Sequence, residues 1–285
     1  TGGPAAQALS AQGLGLVQGD LDDQASLSRA LQGVDMVYCH ALSKDAATAD
    51  PAELARARRL AAAAKEAGVK LVVYNSSAGK GVGHGISQAE QKNQIEDIIA
   101  AAGVPLTALQ ATLFMEELWK RYTRPGILKG TFTWSTPSDK PLQLLAARDL
   151  GLAAGYVLQD PGTWSGRALE LAGDELTPAQ MCDAFSKAQG GAPVRHSRPP
   201  LWPFWLLNKD LWRIAKFYSE KGYSADVAAC RAAFPGMLTF EQFLQLSGWG
   251  DASRDYDQGI SFAAAAQPAA PAQAAAAGSK AASAS

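Results

Sequence analysis

Apolar positions along this chain alternate between two textures. Short runs rich in β-branched and aromatic residues, clearest at Lys70, Leu71, Val72, Val73 and Tyr74, are separated by Ala-rich stretches whose apolar residues return at helical spacing. The near-continuous apolar run at 70–74 is what a parallel strand covered on both faces requires. Residues 14–17 and 35–39 predict two earlier strands and 105–110 a later one. Asp22 and Asp23 can cap a helix to about residue 31. Asp50, Pro51 and Glu53 read as N-cap, first-turn proline and capping-box glutamate of a helix that runs through Ala67 to a C′ residue at Gly68. A Gly-rich loop over 79–85 leads to Ser87 and Glu90, a second capping box opening a helix that ends at Gly103. This rhythm predicts an α/β fold with a parallel sheet and right-handed crossovers.

Beyond Phe114 the rhythm changes. Residues 131–134, 142–145 and 166–171 predict short strands; 148–158, 201–218, 224–233 and 239–246 predict helices, and Thr177, Pro178 and Gln180 form another cap. The chain divides into a parallel α/β part over 1–118, a smaller mixed α/β lobe over 119–262 interleaved with it at the sheet's carboxyl edge, and a tail over 263–285. The tail is nearly all Ala, Pro, Gln, Gly and Ser and is expected to be disordered, because it has no apolar pattern to offset its ordering entropy. Trp202 to Tyr218 is the densest aromatic segment and reads as core or pocket lining.

Composition narrows the function classes. With 285 residues, 47% hydrophobic and 19% charged, the chain can bury a full core. A net charge of -1 gives no basic footprint for nucleic acid. The three cysteines are dispersed and form no metal or dithiol spacing. No secretory pattern and no run of about 18 apolar residues occurs, so a cytoplasmic setting without membrane contact is expected. No G-x-S-x-G turn supports a hydrolase, and His84 and the His40–Cys39 pair read as loop and strand-end residues.

Six blocks, Val17 to Asp23, Ala67 to Tyr74, Glu90 to Lys92, Thr107 to Leu118, Pro141 to Gly151 and Glu170 to Asp174, together resemble the NmrA-like family over about residues 5–250. That family is a branch of atypical short-chain dehydrogenases with a Rossmann-like fold. The resemblance implies NADP(H) or NAD(H) lying across the carboxyl ends of the strands. It places Asp20 and Leu21 near the adenine, His40 and Ala41 beside the nucleotide, and Ser76 and Ser77 toward the nicotinamide. It also makes Lys92 the ribose contact and the one catalytic candidate, Phe114 and Met115 pocket walls, and Glu117 a pocket residue. The expected activity is reduction of a quinone-like or other apolar small molecule. The alternatives are a non-catalytic redox sensor acting on a regulatory protein partner, and a chain unable to hold cofactor.

Read from the residues alone, Lys92 offers three donors near a loop mouth, or else pairs with Glu96 one turn on, which is worth only a few tenths of a kcal/mol. Three departures from the family pattern stand out. Gln88 occupies the position four before Lys92 where a short-chain dehydrogenase has its proton-donating tyrosine, so tyrosine-based reduction from that helix is unsupported. Gln110 and Ala111 stand where Arg-Pro is common, with Glu117 where Asn is common. No G-x-x-G-x-x-G follows a strand; Thr1, Gly2 and Gly3 read as the loop after the family's second strand, and the first strand and phosphate loop are expected to be missing. In the strand order 3-2-1-4-5-6 the strands at 14–17 and 35–39 are then expected to pair directly in parallel.

Overall fold

A computed structural model describes residues 3–40, 42, 49–254 and 260. Ala41, most of the loop after it, and the expected tail lie outside the described residues. Helices α1 (Pro4–Ala11) and α2 (Gln24–Ala30) precede β1 (Met36–Cys39), α3 (Pro51–Glu66), β2 (Leu71–Ser77), α4 (Ser87–Ala101) and β3 (Leu106–Ala111). Then come β4 (Leu113–Phe114), a 3-10 turn over Met115–Trp119, α5 (Arg124–Leu128), β5 (Thr131–Thr133), β6 (Leu142–Leu145), α6 (Ala147–Gln159), α7 (Pro161–Trp164) and β7 (Ala168–Leu171). The chain continues through β8 (Asp174–Leu176), α8 (Pro178–Ala188), β9 (Arg195–Ser197), α9 (Trp202–Leu207), α10 (Lys209–Glu220), α11 (Val227–Ala233) and α12 (Phe240–Leu246).

The main sheet is parallel throughout, in the order β1-β2-β3-β7. Its register pairs Val37 with Val72, Val73 with Thr107, and Ala111 with Leu171. Alternation along β2 feeds two cores. Leu71 and Val73 face a cluster with Leu150, Val157 and Phe234; Val72 and Tyr74 face one with Leu60, Ile95 and Ile99 from α3 and α4. A third cluster around Trp119, Phe132, Phe185, Phe240 and Trp249 forms the lobe, whose small sheets are β4-β6-β8 and β5-β9.

The expected strand at 14–17 does not form. Those residues are extended coil, with Leu14 53%, Leu16 47% and Val17 69% exposed, and the first strand of the sheet is β1, which pairs with β2. The expected direct pairing is therefore wrong: β-branched residues favour strands only where a neighbouring ladder packs them. What anchors this region is electrostatic. Arg56, buried on α3, donates to Asp22 at 2.8 and 3.0 Å, to Asp50 at 2.9 Å and to the Leu42 carbonyl at 2.9 Å, tying the Asp20 to Asp22 turn to the loop after β1.

Local capping departs from expectation in three places. At α3 the Asp50 side chain accepts from Ala52 N, while Glu53 is buried with Oε1 unpartnered instead of closing a capping box. At α4 the cap position is Ile86, with no side-chain cap; the Ser87 hydroxyl donates to Asp210 and Glu90 accepts from Gly85 N at 3.0 Å. The aromatic segment is two helices, because Asn208 breaks it and caps α10 by accepting from Asp210 N and Leu211 N at 2.9 and 3.0 Å. Its first half is not core, since Trp202, Trp205 and Leu206 are exposed, whereas Phe217 and Tyr218 are buried. The helix expected from 224 begins at Val227, where Asp226 caps it. Among the described residues no helix is long and apolar enough to cross a membrane, and no cluster of metal ligands occurs.

Candidate functional site at the sheet rim

The carboxyl ends of β1, β2 and β3 share one rim, where α4 begins. β1 ends at Cys39, and His40 beyond it is exposed. β2 ends at Ser76 and Ser77, whose side chains leave opposite faces as strand alternation demands. Ser76 is 3% exposed and its Oγ has no hydrogen-bond partner. Glu53 Oε1, Tyr74 OH and Asn93 Oδ1, from α3, β2 and α4, are likewise buried and unpartnered. Each such atom costs about 1–3 kcal/mol of uncompensated desolvation unless water or a ligand reaches it.

Lys92 lies in the second turn of α4, half-buried, with no hydrogen bond or ion pair among the described residues. The pairing with Glu96 one turn later does not form, because Glu96 already accepts from Lys80 at 3.1 Å and from Gln110 Nε2 at 2.9 and 3.1 Å. Gln110 is thus a buried strut holding α4 to β3. The Lys92 charge is felt at Cys39, where burial pushes the thiol up to about 12 against the opposing pull of Lys92. The thiol stays neutral, and a cation with no partner among the described residues stands near the end of β1.

Four glycines shape the loop after β2. Gly79, Gly81, Gly83 and Gly85 have φ of 82°, 83°, 64° and 66°, left-handed values that side chains rarely adopt. The loop is clamped at its start and at its middle. Gly79 N donates to Glu170 Oε1 at 2.8 Å, and Lys221 Nζ donates to the Val82 carbonyl at 2.7 Å. His84 accepts from Ile86 N at 3.0 Å and meets Phe217 edge-on at 5.5 Å; burial lowers its pKa, so it is neutral at neutral pH. The C-terminal lobe therefore closes over the rim through α10 and the turn after it.

The remaining expected residues are distributed as follows. Asp20 is exposed and spends its carboxylate on Asp22 N at 2.9 Å, while its own N donates to Ser26 at 2.9 Å; the Leu21 carbonyl accepts from Arg59 at 3.3 Å. Phe114 is half-buried against the core that includes Leu109 and Leu145, whereas Met115 is fully buried in the lobe core. Glu117 is half-buried, paired with Lys120 at 2.6 Å and accepting from Tyr122 OH at 3.3 Å. Tyr223, Glu170 and Glu116 escaped sequence reasoning. Glu116 accepts from Ala147 N at the start of α6, and burial raises its pKa to about 7. Tyr223 and Glu170 reach the rim from far along the chain, where no spacing signals them. Depressions of about 470 Å³ between α8 and α12 and about 340 Å³ at the amino ends of β3 and β7 lie away from this rim.

Comparison with known proteins fits this geometry. The chain is 29% identical over 186 residues, 65% of its length, to quinone oxidoreductase 2 of Escherichia coli. It is 31% identical over 188 residues to a (4-alkanoyl-5-oxo-2,5-dihydrofuran-3-yl)methyl phosphate reductase of Streptomyces griseus. These alignments span 62% and 61% of the two relatives, so the chain covers about three fifths of their lengths. The nitrogen metabolite repression protein nmrA of Emericella nidulans is 30% identical over 148 residues, 48% of this chain and 42% of its own. The crystal structure of the E. coli NADPH-dependent quinone oxidoreductase in complex with NADPH superposes with a TM-score of 0.69 at 26% identity, covering 85% of this chain and 87% of that one. The fold is that of the NAD(P)-binding Rossmann-type reductases. The NmrA-like family pattern matches residues 1–243, and the chain belongs to the NmrA-like family.

Proposed function

We propose that the rim at the carboxyl ends of β1 and β2 holds NADP(H) or NAD(H), and that the protein is an NADPH-dependent reductase of a quinone-like or other apolar small molecule. The observation that carries this reading is that a Lys92 ammonium without a hydrogen bond or ion pair among the described residues, and a buried Ser76 hydroxyl unpartnered among them, stand at the neighbouring carboxyl ends of β1 and β2. Both are satisfied by ribose hydroxyls and a carboxamide, so the residues present fit the nicotinamide half of the ligand. The Asp20 to Leu21 turn, with His40, supplies the adenine side. When bound, the dinucleotide supplies a hydride from its nicotinamide ring. Lys92 orients the ribose, the 79–85 loop and α10 exclude water, and Phe114 offers an apolar flank to the substrate.

Sequence similarity to a quinone oxidoreductase and to an NAD(P)H azoreductase of Xenophilus azovorans, 28% identical over 192 residues, supports reduction. A second reading, a redox sensor that binds dinucleotide without turnover and contacts a regulatory protein, is favoured by the nitrogen metabolite repression relatives and by Gln88 at the position four before Lys92. Steady-state oxidation of NADPH over a panel of quinones separates the two. Quinone-dependent oxidation supports the reductase; saturable binding with no turnover above the protein-free rate sinks it in favour of the sensor.

A further inference from the structure

A hydride reduction also needs a proton for the substrate oxygen, and α4 carries Gln88 where a tyrosine would supply one. The lobe brings a different tyrosine to the same rim. Tyr223 follows α10, with its ring packed on Phe217 at 5.0 Å and Tyr218 at 5.8 Å. Its edge reaches the Gly-rich loop: a Cβ placed on Gly79 would lie 3.6 Å from Tyr223 Cε1. Ser77, at the end of β2, and Tyr218 both pull the Tyr223 phenol's pKa down against the larger upward push of burial.

The turn that carries Tyr223 is fixed by a buried amide. Gln143 on β6 accepts from Ala225 N at 2.8 Å and donates to the Ala225 carbonyl at 2.8 Å. Two hydrogen bonds to one backbone unit, plus two ring contacts, hold the phenol without a mobile hinge, which is the preorganisation a reacting group needs. Tyr218 is itself buried in the lobe core.

We propose that Tyr223 is the catalytic acid of this site, handing its phenolic proton to the carbonyl oxygen of a quinone-like substrate. This rests on the reductase reading above. The substrate's conjugated carbonyl system gains a hydride at carbon, its π electrons move to oxygen, and that oxygen forms an O–H bond as the Tyr223 O–H bond breaks. The electron pair of that bond stays on the phenolate, which the Ser77 and Tyr218 hydroxyls hold until water returns a proton. Nicotinamide dinucleotide, the hydride donor, leaves oxidised, so one hydride and one proton account for the two-electron reduction. Burial, and secondarily the Glu170 carboxylate, favour the neutral phenol before reaction, while Tyr218 and Ser77 favour the phenolate after it.

The test compares the wild-type chain with Tyr223→Phe, which keeps the ring packing. Two readouts are taken, NADPH-dependent quinone reduction and, with NADP⁺ present, spectroscopic binding of 4-nitrophenol as a mimic of the charged oxygen. The expected result is a fall of about 100-fold in kcat with the KM for NADPH unchanged, and about tenfold weaker 4-nitrophenol binding, in a variant whose thermal midpoint matches the wild type. 4-Nitroanisole, which carries no ionisable oxygen, is expected to bind both proteins alike. Equal kcat in the two proteins, or equal 4-nitrophenol affinity, overturns the assignment while leaving the reductase intact. A wild-type chain that turns over no quinone overturns both.

Discussion

Single residues divide into those whose chemistry was legible in the sequence and those that only packing explains. Lys92 was legible as a donor near a loop mouth, and its surface alternative failed for a specific reason: Glu96 is already committed to Lys80 and Gln110. Ser76 and Ser77 were legible as strand-end hydroxyls, but not that one is orphaned among the described residues and the other lowers the pKa of a tyrosine almost 150 positions away (residue 223 against residue 77). Met115, adjacent to the half-buried Phe114, is wholly inside the lobe core. Met115→Ala is expected to lower stability by about 2–5 kcal/mol and Met115→Leu by less than about 1.5 kcal/mol, as read from urea midpoints. A Met115→Ala protein as stable as the wild type would show that the side chain is not packed as described.

At the scale of elements, covered strands and side-chain-capped helices were the legible part. The apolar run ending at Tyr74 became β2, the Thr177 cap closes as a capping box, and the helix expected over 239–246 forms behind a capping box at Thr239 that was not foreseen. The segment at 14–17 failed because strand character in its residues meant nothing without a neighbour, and Ser87 is not the cap of α4 because it is the first helical residue, after Ile86, with its hydroxyl turned to Asp210. Glu116 shows an element's start depending on a titrating group. It accepts from Ala147 N at the head of α6, and its folded pKa of about 7 lies above its ordinary 4.5. The folded state holds this proton more tightly than the unfolded chain does, so the stability it contributes is full below about 4.5 and lost as pH rises through about 7. Asp149, raised by burial to about 6, adds to the same trend. Glu116→Gln is therefore expected to flatten the decline of stability between pH 5 and 7.5, by at most about 1.4 kcal/mol per pH unit. Denaturant midpoints across that range with the same slope in both proteins would refute it.

For the molecule as a whole, a parallel sheet supplies strand ends and a lobe supplies the cover. What joins them is α10 with its following turn, which seats on the 79–85 loop through Lys221, His84 and Tyr223, while within the sheet part Arg56 fastens the Asp20 to Asp22 turn to the loop after β1. The closure of α10 over the 79–85 loop was not legible, because it depends on pairings such as Lys221 to Val82 between residues far apart in the chain. The account's central claim is that this rim holds a nicotinamide dinucleotide through Lys92. The measurement that reaches it most directly is a calorimetric titration of NADPH into this chain and into its Lys92→Ala variant. Saturable micromolar binding by the wild type, weakened about tenfold in the variant, is the predicted result, that being the scale of a lost hydrogen bond to a charged group. No saturation by the wild type, or equal affinity in the two proteins, would contradict it.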